Sequence, residues 1–586
     1  GSSADVAAAL SGTFASTYSG NVTLTNAPDV AQLVTINGNT TGTITLNVAN
    51  GALSGSAADL VLAFAGTVTQ HTGTVAITTT HDLAQLKLVN DNTNGTITLS
   101  NYTVALSGSS ADVAAALSGT FASTYSGNVT LTNAPDVAQL VTINGNTTGT
   151  ITLNVANGAL TGTAADLVLA FAGTVTEHTG AVTITDAPTV TQLVTINAET
   201  TGAITLVDTT GALSGSAANL VLAFAGTVTE HTGTVTITNA PTVTQLVTIN
   251  AATTGAITLN VANGALSGSA ADLVLAFAGT VTQHTGTVAI TTTHDLAQLK
   301  LVNDNTNGTI TLSNYTVALS GSSADVAAAL SGTFASTYTG NVTLTDDPSV
   351  TQLKEINGYT TGSITLQSDD GALSGSAADL VLAFADTVTQ HTGTVTITDA
   401  PNVAQLVTIN AETDGAITLG DTTGALSGSA ANLVLAFAGT VTEHTGTVTI
   451  TDAPNVAQLK AINAATTGAI TLDDATGALS GSAADLVSAF AGTVTQHTGT
   501  VAITDTHDLA QLKLVNDNTN GTITLSNYTV ALSGSSADVA AALSGTFAST
   551  YSGNVTLTNA PDVAQLVTIN GNTTGTITLN VANGAL

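Results

Sequence analysis

The chain of 586 residues contains no cysteine, methionine, tryptophan or arginine. Without cysteine, disulfides, zinc–thiolate sites and cysteine nucleophiles are impossible. Five lysines, scattered along the sequence, oppose 38 acidic residues, and the formal charge is −33. Nucleic-acid binding requires clusters of basic residues, so this composition excludes it. The same charge disfavours binding to an anionic membrane surface.

Long apolar runs are missing as well. The longest, Leu60 to Ala65, is about a third of the roughly 18–20 residues that span a bilayer, so we expect no membrane insertion. Charged residues make up only 7% of the chain, while hydrophobic residues make up 43%. A chain this apolar and this weakly charged is not expected to be disordered.

The chain consists of a tandem repeat. The segment G-[ST]-[SA]-A-[DN] recurs every 53 or 54 residues. It begins at Gly1, Gly55, Gly108, Gly162, Gly215, Gly268, Gly321, Gly375, Gly428, Gly481 and Gly534. We therefore predict one continuous solenoid of eleven repeats over residues 1–586. Both ends cut through a repeat, from which we expect end-to-end continuation.

Each repeat predicts short helices alternating with strands. In the second repeat, Ser56 is suited to cap a helix, Leu60 and Phe64 lie four residues apart, and Gly66 is suited to end the helix. In the segment 73–78, Val75 and Ile77 fall on one face, which predicts a half-buried strand.

The second half of the repeat follows the same plan. Residues 82–90 have helical spacing, residues 95–99 predict a strand, and a further extended stretch covers 104–106. Every proline occupies one slot, which we place in the first turn of the second helix, after caps such as Asn26 and Asp186. These prolines are Pro28, Pro135, Pro188, Pro241, Pro348, Pro401, Pro454 and Pro561.

The predicted fold is a right-handed parallel β-solenoid with short helices between the strands, an α/β solenoid. Strands connected by helices lie parallel, and their crossovers are right-handed. If the helical segments are turns instead, the alternative is an all-β parallel β-helix.

One sequence position becomes a column of side chains in a solenoid. An asparagine closes the second predicted helix of every repeat, and we expect its amide to satisfy backbone groups of the turns. This column comprises Asn37, Asn90, Asn144, Asn197, Asn250, Asn303, Asn357, Asn410, Asn463, Asn516 and Asn570. Strand threonines such as Thr234, Thr236 and Thr238 are expected to face outward. β-Propensity explains them, and a sticky face for packing, adhesion or ice is the functional alternative.

Another column holds either histidine or tyrosine. Its members are His71, His178, His231, His284, His391, His444 and His497, with Tyr18, Tyr125, Tyr338 and Tyr551 in the remaining repeats. Because the two residue types interchange, the column argues against metal ligation and general-base catalysis. A separate set, His81, His294 and His507, precedes helical aspartates, and we expect it to decorate the helix cap.

Two further patterns are candidate sites. The segment Asn90 to Gly95 resembles the start of a calcium loop but lacks the later acidic ligand, which favours a turn, with Ca²⁺ as the only cofactor left open. Departures from the repeat cluster between residues 346 and 386, and comprise Asp346, Asp347, Lys354, Glu355, Tyr359, Asp369, Asp370 and Asp386. Adjacent acids on a strand point to opposite faces, so we predict no catalytic, cofactor or metal residues and no enzyme.

The run D-A-P-x-V-x-Q-L-x-x-I-N-A-x-T-x-G-A-I-T-L, as in residues 186–206, resembles tandem repeats of very large secreted or surface proteins of bacteria, cyanobacteria especially. The resemblance implies an extracellular fibre, sheath or adhesin stalk and carries no catalytic residues. We therefore expect a structural subunit of an extracellular, cell-surface filament whose partners are copies of itself, end to end and laterally. The alternative is an adhesin or ice-binding module that acts through the threonines, with cell-surface polysaccharide as a partner.

Overall fold

The computed structural model describes residues 1–580, and residues 581–586, the end of the eleventh repeat, lie outside the described residues. The chain divides into two compact bodies. Body 1 comprises residues 1–291 and 305–309, and body 2 comprises residues 292–304 and the described residues from 310 onward. Each body is a repeat α/β solenoid. One solenoid running through residues 1–586 stays a prediction.

The helices of the described residues are seven to ten residues long. Those of body 1 are α1 Ser3–Leu10, α2 Val30–Asn39, α3 Ala57–Phe64, α4 Leu83–Asp91, α5 Ser110–Leu117, α6 Val137–Asn146, α7 Ala164–Ala170, α8 Val190–Ala198, α9 Ala217–Ala223, α10 Val243–Ala251 and α11 Ala270–Ala276. Those of body 2 are α12 Leu296–Asp304, α13 Ser323–Leu330, α14 Val350–Tyr359, α15 Ala377–Ala383, α16 Val403–Ala411, α17 Ala430–Ala436, α18 Val456–Ala464, α19 Ala483–Ala489, α20 Leu509–Asn518, α21 Ser536–Leu543 and α22 Val563–Asn572.

Every strand of the described residues has three residues. Those of body 1 are β1 Val22–Leu24, β2 Ile44–Leu46, β3 Leu53–Gly55, β4 Val75–Ile77, β5 Ile97–Leu99, β6 Leu106–Gly108, β7 Val129–Leu131, β8 Ile151–Leu153, β9 Leu160–Gly162, β10 Val182–Ile184, β11 Ile204–Leu206, β12 Leu213–Gly215, β13 Val235–Ile237, β14 Ile257–Leu259, β15 Leu266–Gly268 and β16 Val288–Ile290. Those of body 2 are β17 Ile310–Leu312, β18 Leu319–Gly321, β19 Val342–Leu344, β20 Ile364–Leu366, β21 Leu373–Gly375, β22 Val395–Ile397, β23 Ile417–Leu419, β24 Leu426–Gly428, β25 Val448–Ile450, β26 Ile470–Leu472, β27 Leu479–Gly481, β28 Val501–Ile503, β29 Ile523–Leu525, β30 Leu532–Gly534, β31 Val555–Leu557 and β32 Ile577–Leu579.

The local signals of the second repeat produce the elements that they predict. The hydroxyl of Ser56 accepts the backbone N–H of Asp59 at the start of α3, and Leu60 and Phe64 are buried. The strand prediction holds for β4, in which Val75 and Ile77 are buried. Because these segments are true helices, the all-β alternative is wrong and the α/β solenoid is confirmed.

The sheets are short, open and parallel. In body 1, β3 pairs with β4 and β4 with β5, so that Leu53, Val75 and Ile97 stand side by side. Paired residues are 22 positions apart here, which is the length of one coil with one helix. In body 2 the same order joins β21, β22 and β23. Consecutive helices within each body pack against one another and cover the apolar side of the strands.

The prolines lie before the second helix and not in its first turn, because that helix begins three residues later than predicted. The cap of α2 is Asp29, which accepts the backbone N–H of Gln32, so Pro28 precedes the cap. Asn26 serves another helix, because its Oδ1 accepts the backbone N–H of Ser3 in α1 at 2.6 Å. The side chain of Asn26, which the sequence places at the start of α2, therefore hydrogen-bonds the start of α1 in the neighbouring coil.

Within the described part of the chain, no helix has both the length and the apolarity needed to cross a membrane.

Candidate functional site

The outward side of most strands carries small hydroxyl residues, and alanine takes the middle position in β4, β16 and β28. In β13, Val235 and Ile237 are fully buried, while Thr236 is half-buried on the opposite side. Parallel pairing places Ser214 and Thr258 on either side of Thr236. The predicted orientation, with valine and isoleucine inward and threonine outward, is confirmed for this sheet. We call this row of middle-strand residues the hydroxyl ladder.

The asparagine column ties each coil to the next. Asn197 Nδ2 donates to the carbonyls of Leu222 at 2.8 Å and Ala225 at 2.7 Å, at the end of α9. Asn410 makes the same pair of bonds to Leu435 and Ala438 beside α17. The last carbonyls of a helix have no partner within the helix, so this amide completes the hydrogen bonding of the helix in the following coil.

A second threonine column is buried and was missed from the sequence. Thr200 is 6% exposed. Its Oγ1 donates to the carbonyl of His178 at 3.0 Å and accepts the backbone N–H of Gly202 at 3.0 Å. The sequence does indicate this column, because a T-x-G motif that begins with the buried threonine precedes the second strand of each repeat. The column comprises Thr40, Thr93, Thr147, Thr200, Thr253, Thr306, Thr360, Thr413, Thr466, Thr519 and Thr573.

Histidine and tyrosine in this column bond to the backbone carbonyl at the same position of the repeat. His178 Nε2 donates to the carbonyl of Gly158 at 2.7 Å. Tyr125 donates its hydroxyl to the carbonyl of Val104 at 2.5 Å. Except at the exposed Tyr18 and at His391, whose Nε2 has no partner among the described residues, either ring thus reaches a carbonyl of the preceding coil, and this is why the two residues interchange. Burial lowers the pKa of His178 below its ordinary value of 6.5 and raises the pKa of Tyr125.

His81, His294 and His507 do not decorate a helix cap. They are 4–5% exposed, and each ring packs against a tyrosine, with centroids 6.2 Å apart for His81 and Tyr125. The cap of α4 is Asp82 itself. The prediction failed because the ring that buries His81 belongs to a later coil.

The unusual residues between 346 and 386 occupy slots that serve the fold. Asp346 Oδ1 accepts the backbone N–H of Ser323 at 2.7 Å, as Asn26 does for Ser3. Lys354 Nζ lies 2.5 Å from Asp379 Oδ1 in an exposed ion pair. Glu355 and Tyr359 lie on α14.

Three of the remaining aspartates lie near His391. Asp347 and His391 line one small void together with Ser368 and Gly371. Burial lowers the pKa of His391, and the nearby charges of Asp369, Asp347 and Asp370 oppose that effect. Among residues 1–580, no group of three histidine or acidic side chains is arranged to hold a metal ion.

The calcium-like segment forms a helix end and a turn. Asn90 donates to the carbonyl of Ala115, and Asp91 pairs with Lys87 at 2.8 Å. Asn94 Oδ1 accepts from Gln70 at 3.0 Å. The polar side chains of this segment therefore bond to different partners and do not converge on one point.

The lysines are not scattered in the fold. All of them occupy the same position of the second helix of a repeat, and each pairs with an aspartate: Lys87 with Asp91, Lys300 with Asp304, Lys354 with Asp379, Lys460 with Asp485 and Lys513 with Asp517.

No protein-family model matches the chain, and no curated protein is significantly similar to it.

Proposed function

We propose that the chain is a structural subunit of an extracellular filament, sheath or surface fibre, built by stacking of coils and by association of copies end to end and laterally. The observation that carries the proposal is that polar side chains recur with the same structural bond in coil after coil. Asn197 and Asn410, in different bodies, make the same two bonds to the next helix. Such repetition suits a protein whose function is its regular structure.

The outward surface supports lateral packing. The hydroxyl ladder is uncharged and in register, as in the pairs Thr183 with Thr205 and Thr236 with Thr258. The formal charge of −33 makes copies repel one another, and salt screens such repulsion. We therefore expect lateral association to strengthen as ionic strength rises.

The composition supports a durable material outside the cell. With no arginine and five lysines, the chain offers few sites to proteases that cut after basic residues. Without cysteine and methionine it offers no sulfur to oxidants. Together with the resemblance of residues 186–206 to repeats of large bacterial surface proteins, these features favour an extracellular, cell-surface location.

Electron microscopy at increasing salt tests the structural role. Filaments that bundle between 10 mM and 500 mM salt support the proposal, because the Debye length falls from about 30 Å at 10 mM to a few Å near 1 M. Replacement of Thr236 and Thr258 by tyrosine should separate the bundles without changing the circular dichroism, while replacement by serine should leave them intact. Discrete particles that never associate would contradict the proposal.

The second candidate is an adhesin or ice-binding module that acts through the same ladder. The in-register pair Thr183 and Thr205 favours it, because both methyl–hydroxyl groups repeat at the spacing of the strands. In that case the tyrosine variants lose binding to ice or to cell-surface polysaccharide while the filaments persist. The structural proposal assigns no reaction to the chain, and incubation with a panel of polysaccharides should yield no cleavage product.

A further inference from the structure

Two positions of the repeat change together. Wherever proline precedes the second helix and another repeat follows, histidine occupies the histidine–tyrosine column of that next repeat, as for Pro135 and His178. Wherever histidine takes the proline slot, tyrosine takes the column, 44 residues later. The three such pairs are His81 with Tyr125, His294 with Tyr338 and His507 with Tyr551. The three pairs recur with a period of 213 residues, so the evidence that the two positions act together is the contact between their rings.

The paired rings lie in contact inside the solenoid. The ring centroids are 6.2 Å apart for His81 and Tyr125, 6.3 Å for His294 and Tyr338, and 6.2 Å for His507 and Tyr551. The histidines are 4–5% exposed and the tyrosines at most 1% exposed. Each tyrosine hydroxyl is used elsewhere, on a backbone carbonyl such as that of Val104.

These histidines lack the hydrogen bonds that buried polar groups ordinarily have. Both ring nitrogens of His81 and of His294 have no partner among the described residues, and neither has Nδ1 of His507. Nε2 of His507 lies 3.5 Å from the hydroxyl oxygen of Tyr551. A buried imidazole with no acceptor tolerates the neutral form, but a second proton would leave a buried charge with no hydrogen-bonding partner.

The structure assigns to these three pairs the role of acid-sensitive points, at which protonation of the histidine releases the turn before the second helix from the tyrosine of a later coil. This inference does not depend on the proposed function. The charged groups acting on His81 and His294 are the adjacent Asp82 and Asp295, and those acting on His507 are Asp508 and Asp505. In each pair the tyrosine faces the histidine as a neutral phenol.

The other histidine column is better prepared for a proton. His71 Nε2 donates to the carbonyl of Gly51 at 2.6 Å, a bond that the charged ring keeps, and its Nδ1 lies 3.4 Å from Thr93 Oγ1. Protonation there leaves the contact with the preceding coil in place. Nε2 makes the equivalent bond in His178, His231, His284, His444 and His497, whereas both ring nitrogens of His391 have no partner among the described residues. We therefore expect acid sensitivity at the three His–Tyr pairs and, within this column, at His391 only.

The direction of the pH effect follows from burial. Burial lowers the pKa of His81 below 6.5, and the charge of Asp82 opposes this only in part. An opened turn restores the ordinary value, so below pH 6.5 the open form binds the proton first. Each further unit of pH favours opening by up to about tenfold per site, until the pH falls through the value of the closed form.

Hydrogen exchange with peptic digestion and mass spectrometry tests this on the intact chain. Residues 78–86, 291–299 and 504–512 should lose protection below pH 6.5, relative to the proline-containing turns at 185–193 and 238–246 at the same pH. Equal protection of both kinds of turn down to pH 5 would overturn the inference.

Variants separate a proton effect from packing. Replacing His81, His294 and His507 together by leucine should remove the pH dependence of these turns, and replacement by glutamine provides the same test if the leucine chain does not fold. Replacing the three tyrosines by phenylalanine should weaken protection equally at every pH. The inference fails if the leucine or glutamine chain still opens with acid as the parent does.

Discussion

The residue three positions after the end of the first helix of a repeat adopts the left-handed backbone conformation in several repeats. Gly173, Gly226, Gly279 and Gly439 have φ between 70° and 81°, and Asp386 takes the same slot with φ of 59°. The left-handed conformation costs an L-residue roughly 1–2 kcal/mol, and aspartate somewhat less. Glycine has no such cost. The slot is thus built for glycine, and the eighth repeat departs from it.

We expect Asp386→Gly to stabilise the protein by up to about 1 kcal/mol. The gain is the relieved backbone strain, reduced by the greater freedom that glycine has in the unfolded chain. Native-state hydrogen exchange of α15 should slow accordingly. The converse change Gly439→Ala should cost about 1–2 kcal/mol and accelerate exchange in α17. A loss of protection on introducing glycine at 386 would contradict this account.

Which side of the fold a threonine faces could be predicted only in part. Alternation with valine and isoleucine places Thr236 outward, and the structure agrees. Thr200 looks the same in the sequence, yet it is buried, because its hydroxyl closes a turn against the carbonyl of His178. Alternation describes a strand, and Thr200 lies where the chain turns, so the rule does not apply to it.

At the scale of elements, buried apolar contacts stabilise the helices, and ion pairs on their surface add little. Leu459 of α18 is fully buried, and the next residue, Lys460, has a side chain 48% exposed in its ion pair with Asp485. Both residues lie on one short helix, so they offer a matched comparison. Exposed ion pairs contribute about 0–1 kcal/mol, whereas a buried leucine contributes several.

We predict that Leu459→Ala lowers the free energy of unfolding by about 2–5 kcal/mol, since it leaves a cavity under α18. Lys460→Ala should lower it by less than about 1 kcal/mol, and high salt should abolish even that difference. Urea denaturation followed by circular dichroism measures both. Equal losses from the two substitutions would mean that the ion pair, and not the core, holds this helix.

Helix and strand positions were predictable because they depend on neighbours in sequence. Ser56, Leu60 and Phe64 specify α3 within nine residues, and the structure places the helix there. Partners between coils were not predictable, because they join residues 20 or more positions apart. Asn26 capping the helix of Ser3 and His81 buried by Tyr125 both belong to this class.

At the scale of the whole molecule, the repeat makes length adjustable. Within body 1, residues 215–267 form one repeat, and removing them joins Ser214 to Gly268. The junction restores the L-S-G-S-A-A sequence found at both places. After the deletion, the strand that contains the junction can pair with β16. The register is preserved, because β12 pairs with β13 in the same register as β15 pairs with β16.

Deletion of residues 215–267 should therefore leave the circular dichroism per residue and the cooperativity of thermal unfolding unchanged, since each repeat packs mainly on its neighbours. Deletion of residues 215–254 provides the control. It also removes β13 but joins Ser214 to Gly255, out of phase with the repeat, so the remaining strands lose their partners and apolar surface becomes exposed. Binding of a hydrophobic dye should rise for the second deletion only. If both deletions unfold the chain alike, the repeats depend on contacts beyond their neighbours; if both are tolerated, register does not hold the coils together.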